Sequence, residues 1–255
     1  TGAMFVRLET AAPRPVDWRL LGGGLVFGIV VTLLGLTGTP FNQEIIFLIS
    51  MTVIIVMLRR VTASVDSQTR LHIFYAALVI FAFRAVPSTG VGYQWFTMDR
   101  LGFDEAFFGV LQQIGAGIGL VAAWLLSDSI TRQPVARIML WLTIVGAVLA
   151  IPNLLLVYEV HHWTQAVLGI GARQIAILDT AVQSPLINVS MIPMLTLIAI
   201  YAPAGHRATW FALMASLMNL ALVAGQLMTK YLNMIFVVNR GVYDALPALT
   251  WSSAI

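Results

Sequence analysis

Two ionisable side chains stand inside long apolar stretches of this chain. Arg84 lies in Phe81-Ala-Phe-Arg84-Ala-Val-Pro87-Ser88-Thr89-Gly90, and Asp179 lies in Ile175-Ala-Ile-Leu-Asp179-Thr-Ala-Val-Gln183-Ser184-Pro185. Placing such a group in hydrocarbon costs roughly 2.5–3.5 kcal/mol on insertion scales, so it faces a partner, a cavity or a substrate. A guanidinium presents a planar fork that matches a carboxylate in two hydrogen bonds, so Arg84 is suited either to an anionic substrate or to Asp179. A carboxylate at the depth of Asp179 is suited to proton exchange, as in the acid relays of transporters. Its alternative role is interfacial, paired with Arg173 or capping its helix. Gln183 sits one turn further in, followed by Asn188 and Ser190 beside Pro185 and Pro193. Prolines free backbone carbonyls and bend helices, which transporters use for sites and gates. The same amides also serve as polar glue between helices.

Other chemistry finds little support. His161 and His162 are adjacent, near Glu159, and neighbouring residues do not both face one ion from a helix; no metal site is expected. His206 and Arg207 fall in a short turn suited to lipid headgroups. Gly115, Gly117 and Gly119 flank Gln112 and Gln113, but no strand precedes them, so they are no phosphate loop; small residues let helices approach in lipid. The absence of cysteine excludes disulfides, thiolate metal sites and cysteine nucleophiles. No catalytic triad, zinc spacing or nucleotide loop is present, and neither enzyme activity nor a cofactor is expected.

The elements that must position these residues follow from composition. Apolar residues make up 59% and charged residues 10% of the chain, with a mean hydropathy of +0.89, against roughly 25% charged in soluble domains. The apolar residues fall in blocks near the length of about 20 needed to cross a bilayer as helix, without the period-two alternation of barrel strands. The expected class is an all-α, polytopic membrane protein. Spans are expected at Leu20–Thr37, Gln43–Leu58, Leu71–Trp95, Ala106–Leu126, Ile138–Val157, Gln174–Ala202 and Ala208–Met228, with an eighth beginning near Val242 and too short to cross. Gly38-Thr39-Pro40, Gln133-Pro134 and Pro203-Ala204-Gly205 supply breaker residues between them. The segment from Thr1 to Arg19 lacks an apolar core, so no signal peptide is expected.

Orientation follows from the bias of Lys and Arg toward cytoplasmic loops. One set of alternate loops holds Arg7, Arg14, Arg19, Arg59, Arg60, Arg70, Arg132, Arg137 and Arg207; the other holds Arg100, Arg173, Lys230 and Arg240. The first set is expected inside, with the Phe103-Asp104-Glu105 and His161-His162 segments outside. The net charge of +3 comes from these loops and does not imply nucleic-acid binding.

From Asp179 to Asn219 the chain resembles the folate–biopterin transporter family of the major facilitator superfamily. The residues carrying the resemblance are Asp179, Ile192-Pro193, Pro203-Ala204-Gly205, Ala208-Thr209-Trp210-Phe211-Ala212-Leu213, Ser216 and Asn219-Leu220. Upstream, Pro87-Ser88-Thr89-Gly90, Leu101-Gly102-Phe103 and Phe108-Gly109 look like that family's connection between helices seven and eight, and Ile138-Met-Leu-Trp141 looks like the start of helix nine. The resemblance implies that residues 1–70 hold a tail, helices five and six and the central loop, and that residues 71–255 hold helices seven to twelve, the last incomplete. A fragment is therefore expected, with the missing N-terminal helices as a partner; the alternative is a complete protein with a short re-entrant end. Two departures, Ile200 where the family tends to carry Arg and Arg207 where it tends to carry Glu, mark a divergent branch.

The resemblance implies a proton-coupled secondary transporter of folate, biopterin or a related pteridine-like anion, in an inner or plasma membrane. In that picture Arg84 meets a substrate carboxylate or Asp179, and Asp179 couples protons. Gln94, Gln112, Gln113, Gln183 and Asn188 offer hydrogen bonds to a heterocycle. Tyr93 and Trp95 either stack on a flat ring or anchor the span end at the interface. The alternatives are a non-transporting assembly factor for pigment–protein complexes and a transporter of another solute.

Overall fold

A computed structural model describes residues 18–63, 65–203 and 207–254. Arg7, Arg14, the Ala204-Gly205 part of the expected turn and His206 lie outside the described residues. Contacts divide the chain into Thr1–Leu48 and Ile49–Ile255. The described residues form helices α1 (Trp18–Leu36), α2 (Asn42–Val61), α3 (Ser67–Arg84), α4 (Gly90–Asp99), α5 (Glu105–Thr131), α6 (Val135–Val148), α7 (Ile151–Val157), α8 (His161–Leu168), α9 (Ala172–Ile200), α10 (Arg207–Ile235) and α11 (Leu246–Ala254).

Among the described residues, four stretches are long and apolar enough to cross a membrane: Glu105–Ile130, Val135–Val157, Ala172–Ile200 and Arg207–Ile235. At 1.5 Å per residue, even the 23 residues of Val135–Val157 reach about 34 Å as helix, past a hydrocarbon core of about 30 Å. Large apolar side chains stand outward on these stretches, among them Leu120, Trp124, Trp141 and Ile235, as a lipid-facing surface requires.

The segment expected to run unbroken over Leu71–Trp95 is two helices. α3 stops at Arg84 and α4 starts at Gly90. Pro87 has no N–H to donate and disfavours helical backbone at Val86, and Gly90 takes the left-handed φ of +65° that turns the chain into α4. A smaller interruption separates α6 from α7, where Pro152 stands in the first turn of α7. α9 by contrast continues through Pro185 and Pro193. The last element begins at Leu246 rather than near Val242, because Asn239 and Val242 pair in an isolated bridge that turns the chain first.

The buried face of α10 runs through Trp210, Leu213, Met214, Leu217, Met218, Ala221 and Gly225, the three- and four-residue spacing of one helical face. It meets α3, α4, α9 and α11. α5 lies along α9 because small residues face each other there: a Cβ on Gly115 would fall 2.6 Å from Ser184 Oγ, and one on Gly119 would fall 2.1 Å from Asn188 Nδ2. Gly117, on the other side of α5, has nothing within 4 Å. Phe96, Val157, Val238, Leu246 and Leu249 form a separate apolar cluster joining α4, α7 and α11.

Candidate functional site

Asp179 lies on the second turn of α9, half-buried. Gln183, one turn on, donates from Nε2 to Asp179 Oδ1 at 2.5 Å and to the backbone carbonyl of Leu149 at 3.1 Å. That carbonyl belongs to the residue capping the end of α6. Asn153 on α7 stands beside the Asp179 side chain, and its Oδ1 accepts from the Tyr93 hydroxyl of α4 at 2.7 Å. Asp179 and Gln183 of α9 thus tie to the end of α6, with the Tyr93–Asn153 pair of α4 and α7 beside them. An ionised carboxyl accepts only, and a protonated one must also donate. The bonding of this node therefore depends on whether Asp179 carries a proton.

Arg84 is the last residue of α3, where a cation is favoured by the helix dipole. Its Nη1 donates to Met191 Sδ of α9 at 3.2 Å, and its Nε is buried with no hydrogen-bond partner. A thioether is a weak acceptor, so this guanidinium retains donors that only a stronger acceptor satisfies. Arg84 does not pair with Asp179. Arg173 does not pair with it either: it lies 3.7 Å from Asp104, donates to the Gly102 carbonyl at 3.0 Å and stands over the Phe107 ring.

The break between α3 and α4 rests on a stripe of α10 spaced by four residues, Gly225, Thr229 and Asn233. A Cβ on Gly225 would sit 2.7 Å from the Val86 carbonyl oxygen, so glycine lets the two backbones touch. The Ser88 N–H donates to Thr229 Oγ1 at 2.8 Å, and the Cβ position of Gly90 is 3.1 Å from Thr229 Cγ2 and 3.2 Å from Asn233 Nδ2. The stripe takes up the backbone that the break leaves outside a helix.

The remaining polar residues are placed differently. Asn188 donates to the Ser184 carbonyl at 3.0 Å and packs against Gly119, while Ser190 bonds the Ile187 carbonyl at 2.7 Å. Both are satisfied on their own helix. Gln94, Gln112 and Gln113 are exposed on α4 and α5 and are not joined to the Asp179 node. Asn153 and Met191 were not foreseen. Asn153 had a signal, a lone amide after proline in an apolar stretch; Met191 had none. Trp95 is half-buried near the end of α4.

On the expected outer side, Asp99 accepts from Arg240 at 3.1 and 3.3 Å and from the Tyr243 hydroxyl. The Arg240 bonds, then the Tyr243 bond, hold the Asp99 carboxyl below its ordinary range. His161 is buried, with its ring 4.2 Å from that of His162 and its Nδ1 unpartnered. Burial, and then the neighbouring His162, push its pKa down. No group of three or more His, Cys, Asp or Glu that could hold a metal occurs among the described residues.

The BT1 family profile matches residues 29–253. A curated folate-biopterin transporter from Synechocystis sp. (strain ATCC 27184 / PCC 6803 / Kazusa) is 30% identical over 164 residues, which is 63% of this chain and 32% of that protein. The matched stretch thus spans about a third of the relative's length. No solved structure is a significant match. With its apolar helices and a profile covering nearly all of its length, the chain is an integral, multi-pass membrane protein and belongs to the BT1 family.

Proposed function

We propose that this chain forms part of a proton-coupled secondary transporter for folate, biopterin or a related pteridine-like anion. The observation that carries the reading is Arg84: a half-buried guanidinium beside a helix break, with a sulfur as its side-chain partner and a buried Nε left over. Discontinuous helices whose ends line a cavity are a recurring way to build transporter sites. Similarity to a curated folate-biopterin transporter supports this substrate class.

Arg84 meets the substrate carboxylate, and Asp179 is the proton site. Protonation of Asp179 removes one acceptor from the Gln183 and Asn153 amides and so alters the ties to α6, α7 and, through Tyr93, to α4. Gln183 acts in this coupling. Gln94, Gln112 and Gln113 face a substrate only where further helices enclose them, and Asn188 contributes to packing. The proposed frame is the major-facilitator arrangement, with residues 1–70 corresponding to helices five and six and residues 71–255 to helices seven to twelve. The earlier helices of the same transporter are then its structural partners.

Uptake of labelled folate and biopterin by cells expressing this protein tests the reading, with Arg84→Gln, Asp179→Asn and a protonophore alongside. The expected result is saturable uptake that collapses with the protonophore and in Asp179→Asn, while Arg84→Gln raises KM or abolishes uptake. Uptake unchanged in both variants at equal membrane levels refutes the roles assigned here.

A further inference from the structure

A cavity of about 470 Å³ lies where the end of α2, the start of α3 and Trp210 of α10 meet. Its walls are apolar, with Ile55, Leu58 and Phe74 prominent, and Arg59 and Arg70 stand among the lining residues. Trp210 is locked in place: it is 1% exposed and donates from Nε1 to the Ile198 carbonyl at 2.7 Å. Arg70 donates from Nη2 to the carbonyls of Ala63 and Val65 at 3.2 and 2.9 Å, which fixes the chain between α2 and α3 and leaves other guanidinium N–H groups unused. Arg59 is exposed, and its guanidinium has no partner among the described residues. The nearby Asp66 carboxylate is engaged by the Thr69 N–H at 2.8 Å as the cap of α3.

We infer that this cavity binds an anionic phospholipid, with its phosphate on Arg59 and Arg70 and an acyl chain along the apolar wall. A flat heterocycle needs hydrogen-bonding partners around its edges, whereas apart from Arg59, Arg70, Thr62 and Ser67 this cavity is lined by apolar side chains and Trp210. An acyl chain suits them. It gains little by leaving the bilayer for an equally apolar cavity, so selectivity rests on the headgroup. Two arginines at the end of the helices expected to face the cytoplasm match the way basic pockets between membrane helices hold anionic headgroups.

The purified protein in mixed nanodiscs of phosphatidylglycerol and phosphatidylcholine is the test, with retained lipid identified by native mass spectrometry and unfolding followed by heating. The expected result is selective retention of phosphatidylglycerol and a higher Tm as its fraction rises. Arg59→Gln should lower the preference about fivefold, the factor for one basic group near a membrane surface. Ala77→Phe, which fills the cavity wall, should reduce occupancy by either lipid. Arg137→Gln, at the edge of a second apolar cavity against α9, should leave the preference intact. Equal retention of the two lipids, or a preference unchanged by Arg59→Gln, overturns the inference. Arg59 is exposed, so its variant reads the site without disturbing the fold.

Discussion

Gly225→Ala is the sharpest test of how the broken helix is held. The added Cβ would lie 2.7 Å from the Val86 oxygen, 3.3 Å from the Val86 carbonyl carbon and 3.4 Å from the Ala85 carbonyl carbon. These are backbone atoms, so no side chain can rotate away. Reaching ordinary contact at 3.4 Å needs a displacement of 3.4 − 2.7 = 0.7 Å. Moving the break by that amount along the Ser88 N–Thr229 Oγ1 bond would stretch it from 2.8 to 3.5 Å, the outer limit of a useful hydrogen bond. Overpacking of this kind costs about 1–3 kcal/mol, and weakening the bond adds up to about 1 kcal/mol. The better helix propensity of alanine returns about 0.8–1 kcal/mol. The net expectation is a loss of up to about 3 kcal/mol, or as much as several degrees in Tm at about 2–4 °C per kcal/mol for a chain of this size. Gly117→Ala supplies the control, since nothing lies within 4 Å of its Cβ position; it gains the propensity alone. Thermal unfolding of both variants in one detergent, with uptake normalised to membrane level, gives the comparison. Equal Tm values for the two would refute the close packing of the break on α10.

Two further predictions concern the ties around this frame. The Asp99 carboxyl is held below its ordinary range by Arg240 and then Tyr243, so its contribution to stability is complete above the unfolded carboxyl pKa of about 3.9. That contribution disappears as pH falls through the lower folded value. Tm measured from pH 7 down to pH 3 should show an acid-side loss that is smaller in Asp99→Asn, and identical profiles would remove Asp99 from that role. Asn188→Ala should lower Tm, because the side chain fills the seam beside Gly119, while leaving the KM for uptake unchanged; a KM rise without a Tm change would make Asn188 a substrate contact.

Helix content and apolar class were legible because both depend on composition. The break between α3 and α4 was half legible. Pro87 and Gly90 announce a turn, yet apolar residues on both sides continue at helical density, and hydropathy alone merges them. What makes the interruption tolerable lies more than a hundred residues away, in the Gly225, Thr229 and Asn233 stripe. No local pattern reveals that match. Asn153 was hidden for a related reason: an amide in an apolar segment signals a buried bond without naming its partner, and only the fold brings Asp179 and Tyr93 to it. The alternative pairing of Arg173 with Asp179 is not made, because Asp104 and the Gly102 carbonyl occupy the guanidinium.

The ten residues of α4 bear on mechanism more than their length suggests. The segment just before it is tied to α10 by Ser88 and Thr229. Its Tyr93 reaches the Asp179 node through Asn153, and its last residue, Asp99, is held by Arg240 and Tyr243 beyond the end of α10. Two of these ties contain a carboxylate, and only Asp179 lies within a membrane span. In the proposed coupling, a proton arriving there acts on α4 at its middle, while the two ends stay fixed to one region of the chain. Such a geometry favours a tilt of α4 about its ends over a translation. It predicts that Tyr93→Phe, which removes the hydroxyl while keeping the ring packed near Phe96, uncouples uptake from the proton gradient without destroying substrate binding. Uptake that remains fully gradient-dependent in Tyr93→Phe would break the proposed connection between Asp179 and α4.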